Sequence, residues 1–543
     1  MADGLALLWP VLIPIATAAL TACFWTQPSI QRRIGMVGLV LLLAASINLL
    51  WTVLDNGIIA KQFGSWIAPF GISFVADPLS AALVMVSGLL AIAVGIFAMA
   101  SIGERQERAG FHPLFHGLIM GVNGAFLTGD IFNLYVWFEV MLITSLGLLV
   151  LGRTKPQIDG AIRYAALNLF GTIIFLIAIA LLYGATGTLN MADLAMILPT
   201  MQLSPGLMAT AVLFLAAFGI KAGLFPVFFW LPASYHTAPI TVAAIFAGLL
   251  TKVGVYACFR VFTLLFTLDG DGLRTLLALI AAATMVTGVL GAAVQWNVRR
   301  ILSFHIISQI GYMLMGLAIA TQAALLGAAF YIVHHIIVKA NLFLLAGAIQ
   351  RAGGTDDLKK SGGLLRSHPW LAVLFLIPAL SLAGLPPLSG FWAKFLVIEP
   401  SLREDMGWLA AVALLVGLLT LFSMSKIWME AFWKASPIVR TRPRAVPLAM
   451  LLPIAALGSV TVAMGLFAQP FVTLAEQAAL VLVEPQRYIA AVFPDAVAPA
   501  IQLADPPPVL DQPATTTAAG TGVESGGETE DENLKLVEQG DLQ

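Results

Sequence analysis

Lys221-Ala-Gly-Leu-Phe-Pro226-Val-Phe-Phe-Trp-Leu-Pro232 sets a lysine and two prolines inside an apolar run that extends from about 206 to 233. That run exceeds the roughly 20 apolar residues a bilayer-spanning helix needs. Proline removes a backbone donor and clashes with the preceding turn, so Pro226 and Pro232 predict an interrupted helix. Unpaired backbone at membrane depth persists only inside protein or beside water. A charged side chain there costs roughly 2.5–3.5 kcal/mol on insertion scales and marks a functional or paired site. A second stretch carries the same ingredients: Leu382-Ala-Gly-Leu-Pro386-Pro387-Leu-Ser-Gly390-Phe-Trp-Ala-Lys394. A packing kink accounts for either break alone. Two breaks, each with an ionisable lysine within two turns, point to transport.

The surrounding chain agrees. Its 543 residues are 59% hydrophobic and 10% charged, with mean hydropathy +0.93; soluble proteins carry about 25% charged residues. The fold class is an all-α polytopic membrane protein with about 14 transmembrane helices. Their windows are 5–25, 33–54, 75–100, 112–129, 131–151, 161–184, 206–233, 239–265, 272–296, 299–320, 323–350, 370–399, 405–433 and 446–472. Strand-like alternation is absent, which excludes a membrane barrel. A net charge of -1 gives no sign of a nucleic-acid partner. The two cysteines, Cys23 and Cys258, both lie in apolar runs, so neither a disulfide framework nor a cysteine-ligated metal is expected. The start, Met1-Ala2-Asp3-Gly4, lacks the basic segment of a cleaved signal, and the first apolar run reads as a retained helix.

Loop charges orient the bundle. With the N-terminus outside, seventeen loop lysines and arginines fall inside, among them Arg32, Arg105, Arg153, Arg299, Arg351 and Lys434. Five fall outside: Lys61, Arg274, Arg403, Arg487 and Lys535. This positive-inside bias places both termini outside. Spans 4–8 then start inside and spans 9–13 outside, forming two inverted five-helix repeats, each with a broken helix. Such pairing points to a transport site. The expected domains are 1–111 (three helices), 112–268 (first repeat), 269–434 (second repeat), 435–503 (span 14 and a segment read as interfacial) and 504–543. The last begins at Asp505-Pro506-Pro507-Pro508, turns acidic and polar, and reads as a disordered, solvated tail.

Glu139, Lys221, Lys252, His334, His335, Lys339 and Lys394 sit within spans, enough for a polar file through the bundle. A buried Glu139–Lys221 pair by itself could simply lock two helices. Arg260, nearer a span end, reads as snorkelling. Lys426 and Glu430, at i,i+4, read as a local pair. His334 and His335 diverge by about 100° on a helix, so one of them at most faces a given pathway. Lysine and histidine suit proton relay. No haem or iron–sulfur ligand set is visible, so electron transfer is a poor fit and no cofactor is expected.

These residues carry a resemblance. Over roughly residues 1–472 the chain resembles the antiporter-like subunits shared by respiratory complex I and Mrp antiporters. The matching elements are Glu139, Lys221 before its break, Lys252, a span 11 histidine and Lys394. Phe229-Trp-Leu-Pro-Ala-Ser-Tyr-His-Thr-Ala-Pro239, followed by Leu250-Thr-Lys-Val-Gly-Val-Tyr256, looks like the family signature around spans 7 and 8. Ala233-Ser234-Tyr235 stands where complex I relatives carry Asp-Ala-His, which resembles the Mrp branch. The resemblance implies two half-channels, with Glu139 modulating Lys221 and Lys252 linking through the histidine to Lys394. It implies Na+/H+ exchange in a bacterial cell membrane, with the A, B, C, E, F and G members of an Mrp complex as partners. The charges alone support only ion translocation. A proton-pumping arm of complex I or of a membrane-bound hydrogenase would look nearly the same, and a membrane scaffold is the remaining alternative. The acidic tail departs from the family.

Overall fold

The structure, a computed structural model, describes residues 2–64, 66–202, 204–268, 271–436 and 444–494. The acidic tail, residues 495–503 of the segment read as interfacial, and Arg440, Arg442 and Lys535 of the loop-charge count lie outside the described residues. The chain forms α1 (Gly4–Cys23), α2 (Pro28–Asn56), a hairpin of β1 (Ile59–Gln62) and β2 (Ser73–Ala76), α3 (Pro78–Ser101), α4 (Phe111–Leu127) and α5 (Ile131–Leu149). It continues with α6 (Lys155–Thr186), α7 (Pro205–Ala222), α8 (Ile240–Leu264), α9 (Asp271–Val294), α10 (Val298–Ile319) and α11 (Gln322–Gly353). The last helices are α12 (Pro369–Ala383), α13 (Ser389–Arg403), α14 (Gly407–Trp433), α15 (Leu448–Leu466), α16 (Ala468–Val483) and α17 (Pro485–Val492). The antiparallel hairpin pairs Ile59 with Ala76 and Gln62 with Ser73.

Among the described residues, 12 helices are long and apolar enough to cross a membrane. Two of the windows read from sequence are not among them. The fourth holds α4, at 17 residues, and the twelfth is divided into α12 and α13, at 15 residues each. Both breaks exist, but glycine rather than proline ends the helix. Gly223 (φ +79°) and Gly384 (φ +95°) take the left-handed conformation that a side chain disfavours. At each, the next two amides fold back onto the preceding turn: Gly223 and Leu224 onto Gly219, Gly384 and Leu385 onto Leu380. Pro226 and the Pro386–Pro387 pair follow in the non-helical links. Pro232 lies outside the break, as the third residue of the helical turn Trp230–Ser234, where its missing N–H costs no helix bond.

Burial sorts the helices. The apolar window of α8 is 100% buried and those of α10 and α11 are 94% buried, whereas those of α5, α6 and α14 are 39% buried. The outer helices turn Val37, Trp51, Ile143, Ile162 and Leu418 outward, as lipid-facing surfaces do. The polar residues of α8, α10 and α11 therefore lie at the centre of the bundle. The segment read as interfacial packs in part: Ala475, Ala478, Ala479 and Leu482 of α16 are buried against α3 and α11.

Two local readings change. Arg260 does not snorkel. It is buried, its Nη2 lies 2.5 Å from Asp77 Oδ2, and Tyr256 and Tyr488 pack on its guanidinium. Asp77 is available because it caps α3, so the partner comes from a loop 183 residues away in sequence. Glu430 pairs with Lys434 at 2.9 Å rather than with Lys426. Lys426 instead donates to the carbonyls of Ala293 (2.7 Å) and Gln295 (2.6 Å), closing the end of α9.

Candidate functional site

Glu139 on α5 and Lys221 on α7 are joined through a third helix. Thr172 of α6 donates its hydroxyl to Glu139 Oε1 at 2.7 Å and accepts from Lys221 Nζ at 3.0 Å. The lysine also lies over the Phe138 ring, 4.9 Å from its centroid. Thr172 is a residue that the reading of charges and breaks misses. Its signal is a stripe at i, i+4 and i+8, Tyr164-Asn168-Thr172, on one face of the otherwise apolar stretch 164–182 of that helix. All three are buried. A small cavity of about 20 Å³ opens beside them, lined by Tyr164, Asn168, Lys221, Trp230 and Leu250 among others. Trp230 Nε1 donates to the Ile220 carbonyl at 2.9 Å and ties the two halves of the broken helix together.

α8 continues the line of buried polar groups inward. Gly254 rests on the Lys221–Ala222 backbone so closely that an added Cβ would meet Ala222 N at 2.7 Å. Lys252, two residues earlier, is fully buried. Phe246–Leu250 forms one π-helical turn in α8, a distortion frequent at functional sites. The Ala247 carbonyl within that turn accepts from Lys252 Nζ, and Thr251 Oγ1 receives a second bond at 3.3 Å.

On α11 the tandem histidines diverge as the helical geometry requires. His334 Nδ1 meets Ser389 Oγ at 2.8 Å, at the start of α13, and Ser389 meets Ser381 Oγ of α12 at 3.1 Å. His335 turns inward, with neither ring nitrogen bonded to protein. It lies within electrostatic reach of Lys252, Lys339, His334 and His305. Lys339 Nζ donates to the Leu302 carbonyl of α10 at 3.4 Å.

Lys394 follows its break in sequence yet turns back to it. Its Nζ donates to the Ala383 carbonyl at 2.9 Å and lies 5.0 Å from the centroid of the Tyr312 ring. Lys221 itself belongs to the last turn of α7. Both broken helices thus bring a lysine to the C-terminal end of their first half, the end favourable to cations. Among the described residues no carboxylate lies within ion-pair distance of Lys252, Lys339 or Lys394. Carbonyls and hydroxyls receive all of their bonds.

The chain and its fold have counterparts among known proteins. Residues 128–420 match the family described as "NADH:quinone oxidoreductase/Mrp antiporter, TM". The D-type subunit of the Na(+)/H(+) antiporter of Alkalihalophilus pseudofirmus is 48% identical over 89% of this chain and 98% of its own length. Among solved structures, a chain of the Mrp complex from Dietzia sp. DQ12-45-1b superposes with TM-score 0.84 at 34% identity, covering 90% of this chain and 99% of that one. A chain of the membrane-bound sulfane sulfur reductase, an archaeal respiratory membrane complex, superposes with TM-score 0.85 at 25% identity, covering 90% of this chain and 100% of that one. A family match across more than half the sequence, with near-complete coverage of these relatives, shows that the chain belongs to the NADH:quinone oxidoreductase/Mrp antiporter family, on the side of its D-type Na+/H+ antiporter subunits.

Proposed function

We propose that the chain is the ion-translocating D-type subunit of a multi-subunit Na+/H+ antiporter of a bacterial plasma membrane. It works beside the A, B, C, E, F and G members of that complex, with both termini outside. The blocks 112–268 and 269–434 act as inverted repeats, each holding one half of a proton path: Glu139, Lys221 and Lys252 in the first, the α11 histidines and Lys394 in the second.

The observation that carries this reading is the Glu139–Thr172–Lys221 bridge. Its hydroxyl donates to the acid and accepts from the amine, within the hydrogen-bond reach proton transfer needs. If the Lys221 ammonium gives a proton to Thr172 Oγ1 as the hydroxyl gives its own to Glu139, the products are a neutral amine, an intact threonine and a carboxylic acid. The charge pair is erased and no atom is left over. Erasing that pair at mid-membrane alters the field on Lys252, whose helix touches the Lys221 backbone at Gly254. Lys252 in turn lies within electrostatic reach of His335 on α11, and the two halves are thereby coupled.

The test is sodium-dependent proton flux in vesicles holding the purified complex, with Glu139→Gln as the comparison. A steep loss of exchange in a fully assembled Glu139→Gln complex supports the reading, and an unchanged rate sinks it. The likeness to a respiratory complex favours a second reading, a proton-pumping arm driven by redox partners. Co-purification separates the two. Flavin or iron–sulfur subunits in place of small membrane subunits would favour the pump.

A further inference from the structure

Lys339 and Lys394 touch the same helix ten residues apart. Lys339 donates to the carbonyl of Leu302 on α10, and Lys394 lies over the ring of Tyr312 on that helix. At 1.5 Å per residue the two anchor points are about 15 Å apart along the axis. No single hydrogen bond spans that gap.

α10 fills the interval with a stripe of its own. His305, Gln309 and Tyr312 stand at i, i+4 and i+7, the spacing of one helix face. His305 is fully buried and neither ring nitrogen has a protein partner; Gln309 Nε2 and Ser308 Oγ are also unpartnered. Buried polar groups left this way are uncommon, because each gives up its hydration with no bond in return. Gln309 Oε1 accepts from Tyr331 Oη of α11 at 2.6 Å, so the two helices share one polar seam. Within electrostatic reach of His305 lie Lys339 of α11, Lys394 of α13 and Lys426 of α14, and His335 of α11. An imidazole among lysines, with no carboxylate paired to it among the described residues, has no ion-pairing role to play.

We propose that His305 is a further translocation residue, relaying the proton between Lys339 and Lys394 along the α10 face. The step is a plain proton transfer. The Lys339 ammonium loses a proton and becomes an amine, one His305 nitrogen gains it, and the opposite nitrogen releases one toward Lys394. Imidazole suits this because its two nitrogens accept and donate on opposite sides of the ring. The proposal rests on the proton-path reading above.

The test is exchange by the assembled complex in vesicles for three variants. His305→Gln keeps hydrogen-bonding capacity but cannot titrate, and should slow exchange at least tenfold at saturating sodium. The double variant His305→Gln/Gln309→His moves the imidazole one turn along the same face and should recover a substantial part of the rate. Lys394→Ala serves as the control for the path itself. Slow His305→Gln with recovery in the double variant supports the relay. A normal rate in His305→Gln, or no recovery in an assembled double variant, overturns it. If Lys394→Ala also exchanges normally, the path reading has failed rather than this residue alone.

Discussion

Lys394 reaches back across the break it follows, its Nζ 2.9 Å from the carbonyl oxygen of Ala383 at the end of α12. That carbonyl is free because Gly384 turns left-handed and ends the helix there. The lysine is held at the mouth of an interrupted helix by an acceptor that tolerates either its charged or its neutral form. In the proposed path this residue passes the proton to or from the second half. Lys394→Ala is expected to abolish sodium/proton exchange with assembly intact. Lys394→Arg should fail as well, because arginine does not deprotonate at accessible pH. A structural anchor would behave differently, and arginine would then restore most of the rate. Exchange rates of the two assembled variants decide the matter.

Thr172 gives a sharper test of the first half. Thr172→Val keeps the shape and removes the hydroxyl that joins Glu139 to Lys221, so exchange should fall at least tenfold. Thr172→Ser retains the hydroxyl and should stay within about threefold of the parent. Measured in the same vesicles, equal losses in both variants would mean that packing matters here and the hydroxyl does not.

The bridge also shows what a single sequence can and cannot reveal. Charges at mid-span stand out because hydrocarbon makes them costly, so Glu139, Lys221, Lys252 and Lys394 are legible at once. Thr172 and Ser389 are not, since a hydroxyl in an apolar helix can bond its own i−4 carbonyl and needs no outside partner. Pro226 and Pro386 locate the breaks, yet the helices end at Gly223 and Gly384, because a left-handed cap stops a helix before the proline is reached. Arg260 and Asp77 are unreadable as a pair. Their meeting depends on how the α3 cap packs against the end of α8, and no local spacing encodes that.

Sidedness can be checked by cysteine labelling. Native Cys23 is exposed and Cys258 buried, so a Cys23→Ser background removes the accessible thiol. Gly103 and Gly407 each have open space where a side chain would go. From the loop charges, Gly103→Cys is expected to react only with reagent on the cytoplasmic side and Gly407→Cys only with reagent outside. Labelling of both from one side would mean that the alternation, and with it the inverted repeat, is misassigned.

The Asp77–Arg260 pair yields a stability prediction. Asp77 accepts from Ser80 N at 2.8 Å through Oδ1 and from Arg260 Nη2 at 2.5 Å through Oδ2, so one carboxylate caps α3 and neutralises a buried cation. Asp77→Asn preserves the cap, since asparagine serves there about as well, and leaves Arg260 without its counter-charge. Removing one partner of a buried pair costs about 3–5 kcal/mol, whereas replacing both with apolar groups is often neutral. Asp77→Asn and Arg260→Met should therefore each lower the Tm of the purified complex. The double variant should lose less than the two single losses combined. Tyr256 and Tyr488 would still pack on the methionine. Removing an arginine that reached the water interface would cost little, so an unchanged Tm in Arg260→Met would return that residue to the snorkelling role its sequence position suggests.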